Sequence, residues 1–511
     1  MQKFIHCILS ILFSICVIQC STTTNVHIAY DPPRSLPSNI LLAGASKVDI
    51  TPPPGMPLAG YSSNAYFAKG FRTRLYARVI YLKSDNVAIA LVQCDLLSGS
   101  SLVQKKVAQL VSQSTDVPYT GIMMAGTHTH SGPGNYFESN FYNRFASNAS
   151  GFNEEYFTFL CNQIATAIIQ AYTTRKPAMI AYGTKTLYGF TRNRSFNAYK
   201  ANTNNCALNP LKAVNPTMHM IRVDTLVEGK QKPLAAFTVF SIHGTTVPDS
   251  NTLYSADVFA YIERELEWEM QRHGVNQFVH AVCNGSHADN APNILKGKQG
   301  FEESRSFPLP IIPIVISCSN GYTGYCTTPQ EYSMQHYEGG HTLYGPNTQP
   351  FLALHYAQLT ATIANKMGDS NWSKIYSLKS ASFLKKYPLP TNPVRKVVKQ
   401  PYYVINPGID EPYVSFLWED VPPDQLEFHK PIVAIEYLVH GSFKPFTQIG
   451  IPIDDTGYDI AVIFTGTITK DGMAIYEARW YNPPLNTNYH FRFVILPREN
   501  LHTLYSEQFS W

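Results

Sequence analysis

The stretch Gly126-Thr127-His128-Thr129-His130-Ser131-Gly132-Pro133-Gly134 holds the side chains best suited to chemistry in this chain. Its two imidazoles follow the apolar run Gly121-Ile122-Met123-Met124-Ala125, which reads as a short buried strand closed by a Gly/Pro turn. While the backbone stays extended, residues two apart share a face, so His128 and His130 project together at the strand's carboxyl end. That end is where open α/β sheets place their ligands. Imidazole either holds zinc or moves a proton near neutral pH. A single His-x-His pair is a short pattern, and its plain alternative is a polar loop whose rings hydrogen-bond to backbone. Two further strands end in the same manner. The strand expected over 235–242 runs into His243-Gly244-Thr245-Thr246. The one over 277–283 runs into Asn284-Gly285-Ser286-His287-Ala288-Asp289-Asn290-Ala291-Pro292-Asn293. Three histidine-bearing, Gly/Pro-punctuated loops point to one site.

The elements that must position these loops alternate in type. A strand over 41–52 precedes a pair over 75–82 and 87–94, joined by Ser84-Asp85-Asn86 and closed by Asp95. Leu102, Val103, Val107, Leu110 and Val111 lie at helical spacing, predicting a helix over 101–112. Phe157, Leu160, Cys161, Ile164, Ile168 and Tyr172 predict another over 154–172, followed by a strand over 178–183 and a helix over 257–273. Strands alternating with helices predict an α/β core. From about 371 the helical patterns vanish. Alternating segments such as 431–439 are separated by turn signals such as Asp454-Asp455-Thr456-Gly457, which predicts a β-sandwich. The expected organisation is an α/β catalytic domain over 21–370 and an all-β domain over 371–511, with no internal repeat.

Composition narrows the function classes. A chain of 511 residues suggests two domains. Charged residues make up 15%, against a usual share of about a quarter, and the net charge is only +4 with no basic run, which argues against a nucleic-acid partner. Met1-Gln2-Lys3, an apolar stretch from Phe4 to Ile18 and a polar exit read as a secretory signal peptide over 1–20, too short for a membrane span. Cys20 offers a lipoprotein alternative, opposed by the bulky Gln19 before it. Beyond the leader stand six cysteines. Cys94 and Cys161 sit in apolar patterns and read as buried free thiols, and the lack of any CxxC pair indicates neither a thiolate zinc site nor a redox motif.

Three long blocks make the chain recognisable. Gly126–Gly134, then Ser319-Asn320-Gly321-Tyr322-Thr323-Gly324-Tyr325-Cys326-Thr327-Thr328, then Gln335-His336-Tyr337-Glu338-Gly339-Gly340-His341-Thr342-Leu343-Tyr344-Gly345-Pro346 resemble the neutral/alkaline (non-lysosomal) ceramidase family. Glu477-Ala478-Arg479-Trp480-Tyr481-Asn482-Pro483-Pro484-Leu485-Asn486 resembles that family's C-terminal immunoglobulin-like sandwich. The resemblance implies a secreted or membrane-associated zinc amidase that cleaves ceramide into sphingosine and a fatty acid. It implies His128, His243 and Tyr325 as ligands of Zn2+, and His130 and Tyr337 as substrate contacts. Arg194 and Asp289 complete its catalytic set with His130 and Tyr337. Zinc would lower the pKa of bound water and polarise the amide carbonyl, while Arg194, Tyr337 and His130 could hold the oxyanion. The plain alternatives are an Arg194 paired with a carboxylate and a Tyr337 packed as an aromatic.

Two departures from the family pattern stand out. The family's Gly-Asp-x-Ser-Pro-Asn loop reads here Ala288-Asp289-Asn290-Ala291-Pro292-Asn293, so Ala291 replaces a serine hydroxyl. Tyr325 follows Ala291 by only 34 positions, and the family's longer stretch there, near 300–312 of this chain, carries its glutamate zinc ligand. Glu302 and Glu303 are the nearby carboxylates. Two alternatives to hydrolysis follow: a homologue that binds sphingolipid or membrane surfaces without cleaving, and a β-sandwich adhesin with a degenerate enzyme domain.

Overall fold

The computed structural model describes residues 22–202, 207, 209–293, 301–302, 314–362, 370–405, 411–484 and 488–510. The expected signal peptide with Cys20, the cysteine Cys206 and most of the stretch near 300–312, Glu303 included, lie outside the described residues.

The scaffold of the site is one mixed sheet flanked by helices. Its strands run in the order Val279–Asn284, Lys230–Phe240, Thr217–Val227, Lys176–Tyr188, Ser38–Asp49, Tyr76–Asp85, Val87–Cys94, Ile122–Gly126. The pairings are antiparallel through the middle and parallel only at the two edges, where Lys230–Phe240 pairs Val279–Asn284 and Val87–Cys94 pairs Ile122–Gly126. Each half of the sheet therefore builds the same unit of three antiparallel strands, a helix and a parallel edge strand. The crossover helices are Ser101–Val111 and Val258–Arg272. No sequence repeat marks this repetition of topology.

The sheet curls so that its two halves pack against each other. Ala43, Ile80, Leu82, Ala125, Ala178, Val223, Phe237, Val239, Val279, Ala281 and Cys283, drawn from strands of both halves, share one interior cluster. Residues of opposite parity on the first half, such as Ala77, Val79, Tyr81, Ala90 and Val92, face the helices instead. The longest of those helices, Glu154–Thr173, starts where the Asn153 side chain accepts from the Tyr156 N–H at 2.8 Å. Such a cap contributes about 1 kcal/mol. Its buried face carries Phe157, Leu160, Cys161, Ile164 and Ile168, the stripe expected from spacing.

Beyond residue 395 the described chain is all β. One antiparallel sheet joins Lys396–Val404, Tyr413–Asp420, Ala474–Tyr481 and Ile460–Ile468, and a second joins Ser442–Pro445, Val433–Val439, Phe491–Ile495 and Leu504–Tyr505. Aromatic side chains fill the space between them, with the Phe416 and Phe493 rings stacked at 5.2 Å. The two parts of the chain interlock. Gly70–Phe71 adds an edge to the first of these sheets by pairing with Ile460–Ile468, and Thr23–Tyr30 pairs with Trp372–Lys379. Arg74, fully buried, spans the seam, holding Asp49 and Asp455 at 2.9 Å each.

Candidate metal centre

Curling of the sheet brings the carboxyl end of Ile122–Gly126 to those of Lys230–Phe240 and Val279–Asn284. Thr129 and Gly244 form a parallel bridge, and the His130 N–H donates to the Gly244 carbonyl at 3.2 Å. This approach requires glycine, because a Cβ at position 244 would stand 2.4 Å from the His128 carbonyl oxygen. The Asn284 amide fastens the same junction, donating to the Thr127 carbonyl while its Oδ1 accepts from the Ile242 N–H at 3.1 Å. His128 itself sits at φ +67, a left-handed conformation that costs a non-glycine residue about 1–2 kcal/mol. Backbone strain of this kind clusters at functional sites.

Four imidazoles meet at this junction. The ring of His128 lies 4.6 Å from that of His243, 4.6 Å from that of His287 and 5.0 Å from that of His130. His243 is 5.0 Å from His130 and 5.1 Å from His287. Three of the rings are held alike: Nδ1 faces a backbone carbonyl, Leu97 for His128 at 2.9 Å, Ala288 for His243 at 3.1 Å and Gly285 for His287 at 3.2 Å. A carbonyl only accepts, so each Nδ1 carries the hydrogen and each Nε2 the lone pair. Metal-ligating histidines are oriented in this way by their surroundings. His130 differs, with its Nδ1 buried and unpartnered and its Nε2 3.1 Å from Nε2 of His243.

All four rings are held neutral. Burial is the main cause, pushing His130 down to about 3 and His287 to about 4, and holding His128 and His243 well below the ordinary imidazole range. The neighbouring imidazoles and Arg194 add to the effect. In the unfolded chain the same rings take up protons from about pH 6.5. Their contribution to stability is thus fully present above that pH and is lost as pH falls towards 4 and then 3. The thermal midpoint of metal-free protein is expected to drop continuously across that window. A midpoint flat from pH 7 to 4.5 would contradict the burial of neutral rings.

The other expected residues form a second cluster beside the rings. The Arg194 Nε binds Glu338 Oε1 at 2.8 Å, and its Nη2 lies 3.4 Å from the Tyr325 hydroxyl. The guanidinium stands 5.0 Å over the Tyr337 ring, and that ring is 5.6 Å from the ring of Tyr325. Burial works against the charge on Arg194, but Tyr325 and Glu338 outweigh it and keep the group cationic. The carboxylate pairing that sequence offered as the plain alternative for Arg194 is therefore present, with the guanidinium still beside the tyrosines. Asp289 accepts from the Asn193 amide at 2.5 Å, and burial, then Glu331 and Glu338, push its carboxyl up to about 6.

Two cavities, of about 610 and 580 Å³, flank the site and share His128, Tyr322, Gly324 and Tyr325 in their walls. His130 and Tyr337 line the larger, and Asp289 and His287 the smaller. The mouth of the larger carries the exposed apolar side chains Phe141, Phe145 and Leu343. Ala291 is buried in a short ladder between Thr191–Asn193 and Asn290–Pro292 and lines neither cavity.

Sequence reasoning named His128, His130 and His243 and left three participants unassigned. His287 was visible as the histidine of the third loop, but nothing in its spacing says that it reaches His128. Glu338, the anchor of Arg194 and Ser195, lies within a quoted block and carries no distinguishing pattern. Cys318 lies 190 positions from His128 with its sulfur 3.3 Å from the His128 Nδ1.

Together these features define a mixed α/β protein with a buried, histidine-built centre able to hold a metal ion. Nitrogens of His128, His130 and His243 lie within 4.8 Å of one another, close enough for one metal ion to be held among them. The family described as neutral/alkaline non-lysosomal ceramidase, N-terminal, matches residues 41–306 and 305–353. The chain belongs to that family. It is 26% identical over 259 residues to neutral ceramidase A of Dictyostelium discoideum, a match covering 49% of this chain and 35% of the relative. It is 29% identical over 220 residues to neutral ceramidase 1 of Arabidopsis thaliana, covering 42% and 28%. The chain thus spans about a third of the length of the curated relatives it matches. The crystal structure of neutral ceramidase from Pseudomonas aeruginosa shares its fold, with a TM-score of 0.68 at 17% identity over 92% of this chain and 99% of that one.

Proposed function

We propose that this chain hydrolyses the amide bond of ceramide or a closely related N-acyl sphingoid lipid, releasing the long-chain base and a fatty acid, with zinc as its metal. The observation that carries the reading is the meeting of four neutral, buried imidazoles with a cavity of about 610 Å³ whose mouth is apolar. An amide flanked by two alkyl chains needs such a mouth. His128 and His243 would hold the ion, with Tyr325 at the edge of the same cavity wall. When bound, zinc supplies Lewis acidity towards a carbonyl. Arg194, cationic, fixed by Glu338 and 3.4 Å from the Tyr325 hydroxyl, is suited to stabilise negative charge on a carbonyl oxygen held beside that tyrosine. His130, held neutral, and Tyr337 line the larger cavity and are suited to hydrogen-bond the substrate there. The exposed Phe141, Phe145 and Leu343 support contact with a lipid surface at the mouth. Among the described residues no helix is long and apolar enough to cross a membrane. The leader over 1–20 supports export, and the C-terminal sheets support an immunoglobulin-like accessory sandwich.

The test is incubation of pure protein with labelled ceramide, with and without a chelator. Release of sphingosine is expected, abolished by the chelator and restored by zinc. Because Ala291 lines neither cavity, Ala291→Ser is expected to change the rate by less than the 10²–10³-fold typical of an oxyanion donor. Absence of release in both forms would favour the lipid-binding reading instead.

A further inference from the structure

The histidine cluster contains a second donor set with a different chemistry. One nitrogen of His128, one of His287 and the sulfur of Cys318 lie within 4.8 Å of one another. Both of the added side chains are fixed by their surroundings. The Cys318 carbonyl accepts from the N–H groups of Gly99 at 2.8 Å and Gly126 at 3.1 Å, which lays the segment along the outer edge of the His-bearing strand. Cys318 adopts φ +54, so it shares with His128 a left-handed backbone rare for such residues. Its sulfur is 3.3 Å from the His128 Nδ1, so a metal taken between these two atoms requires that nitrogen to give up its hydrogen bond to Leu97 and His128 to take the opposite tautomer. His287 is 5% exposed, and its Nδ1 is engaged by Gly285 and by the Ser317 hydroxyl at 2.7 Å, leaving the Nε2 lone pair for a ligand.

Charge is the argument for the sulfur. Imidazoles are neutral donors, so a divalent ion held by histidines alone would keep its whole charge in a buried pocket beside Arg194. Burying uncompensated charge is costly. Among the described residues neither donor set contains a carboxylate. Cys318 is the donor of the second set that becomes anionic on binding, since a coordinating thiol is deprotonated outright. Thiolate with imidazole suits zinc and disfavours magnesium and calcium.

We propose that Cys318, as thiolate, and His287 bind a zinc-like ion together with His128. On binding, the Cys318 S–H bond breaks, its proton passes to solvent, and the sulfur lone pair forms the bond to the metal; nothing is oxidised or reduced. The proposal deepens the hydrolase reading and rests on it only for an ion being resident at this junction. Spacing alone gave no thiolate site, because the three donors come from loops far apart in sequence.

Cobalt titration of the metal-free full chain tests it. A near-ultraviolet thiolate-to-cobalt charge-transfer band is expected, lost in Cys318→Ser and retained in His130→Ala. His287→Ala is expected to weaken zinc and cobalt binding by at least about tenfold, the lower end of what even an outer partner of a ligand costs. Circular dichroism checks that each variant folds. In the unsubstituted chain, zinc is expected to slow alkylation of Cys318, a readout that needs no variant. Cobalt binding without the charge-transfer band, alkylation indifferent to zinc, or wild-type affinity in His287→Ala would each overturn the proposal. Turnover plays no part in these readouts. A chain that shows the band and leaves ceramide intact refutes the hydrolase reading and keeps the thiolate ligand; cleavage without the band does the reverse.

Discussion

Arg78→Ala is expected to destabilise the protein by about 3–5 kcal/mol, the range for removing one member of a buried ionic cluster. Arg78 has no exposed side-chain surface and faces three carboxylates: Glu263 at 2.6 Å, Asp95 at 3.2 Å and Glu267 at 3.3 Å. The cluster joins the first half of the sheet to the crossover helix Val258–Arg272 of the second. Lys47, at 2.6 Å from Glu267, is a partly exposed second cation and cannot serve all three acids. Glu267 is held down at about 2 despite its burial, by Lys47 and then Arg78, whereas burial pushes Glu263 well above its ordinary range. Without the guanidinium, Glu263 and Asp95 must either take up protons or carry unpaired charge. Chemical denaturation followed by circular dichroism measures the loss. A change below 1 kcal/mol would show that Lys47, together with the buried Arg264 on the same helix as Glu263 and Glu267, suffices.

His128→Asn is expected to remove both metal and turnover. Asparagine tolerates the φ of +67 at this position, so the substitution separates loss of the ligand from release of backbone strain. His128 belongs to both donor sets, and no other residue does. Zinc content by elemental analysis should fall below a tenth of an equivalent. Ceramide cleavage should fall by more than the roughly 10²–10³-fold typical of losing one oxyanion donor. The fold should persist, since the Thr129–Gly244 bridge and the Asn284 fastening are made by other groups. Full zinc content in the variant would remove His128 from the centre.

What was legible in sequence follows from what is local. The helix Glu154–Thr173 could be read because burial of one face imposes a 3.6-residue period, and the histidine loops because Gly and Pro mark the strand ends. The family membership was legible from unbroken blocks around the site. Three of the longer elements escaped. In Thr23–Tyr30, Val26, Ile28 and Tyr30 alternate inward, but the strand abuts the apolar leader and its partner lies across the chain. Thr217–Val227 is only partly buried over most of its length, so little alternation marks it. Thr348–Thr362 has apolar residues on more than one side, among them the exposed Phe351 and Leu354, so no stripe distinguishes it. The meeting of His287 and Cys318 with His128 was not legible at all. It arises from curling of the sheet, which depends on the close approach at Gly244 and on the Asn284 amide rather than on spacing between the donors.

The interlock of the two parts of the chain also sets an order of events during synthesis. Thr24 meets Ser380 across 356 positions, and the edge strand Gly70–Phe71 waits for residues 462–463. At roughly 5–20 residues per second, the ribosome takes about 20–70 s to deliver the partner of the first strand. During that interval the edge of Thr23–Tyr30 and the strand Gly70–Phe71 are without their partner strands. Pairings so distant in sequence form slowly even after release, because loop closure precedes any compensating contact. The edge of Thr23–Tyr30 therefore stays unpaired until late in synthesis, and a chain cut short before residue 372 leaves that edge open to pairing with a neighbour.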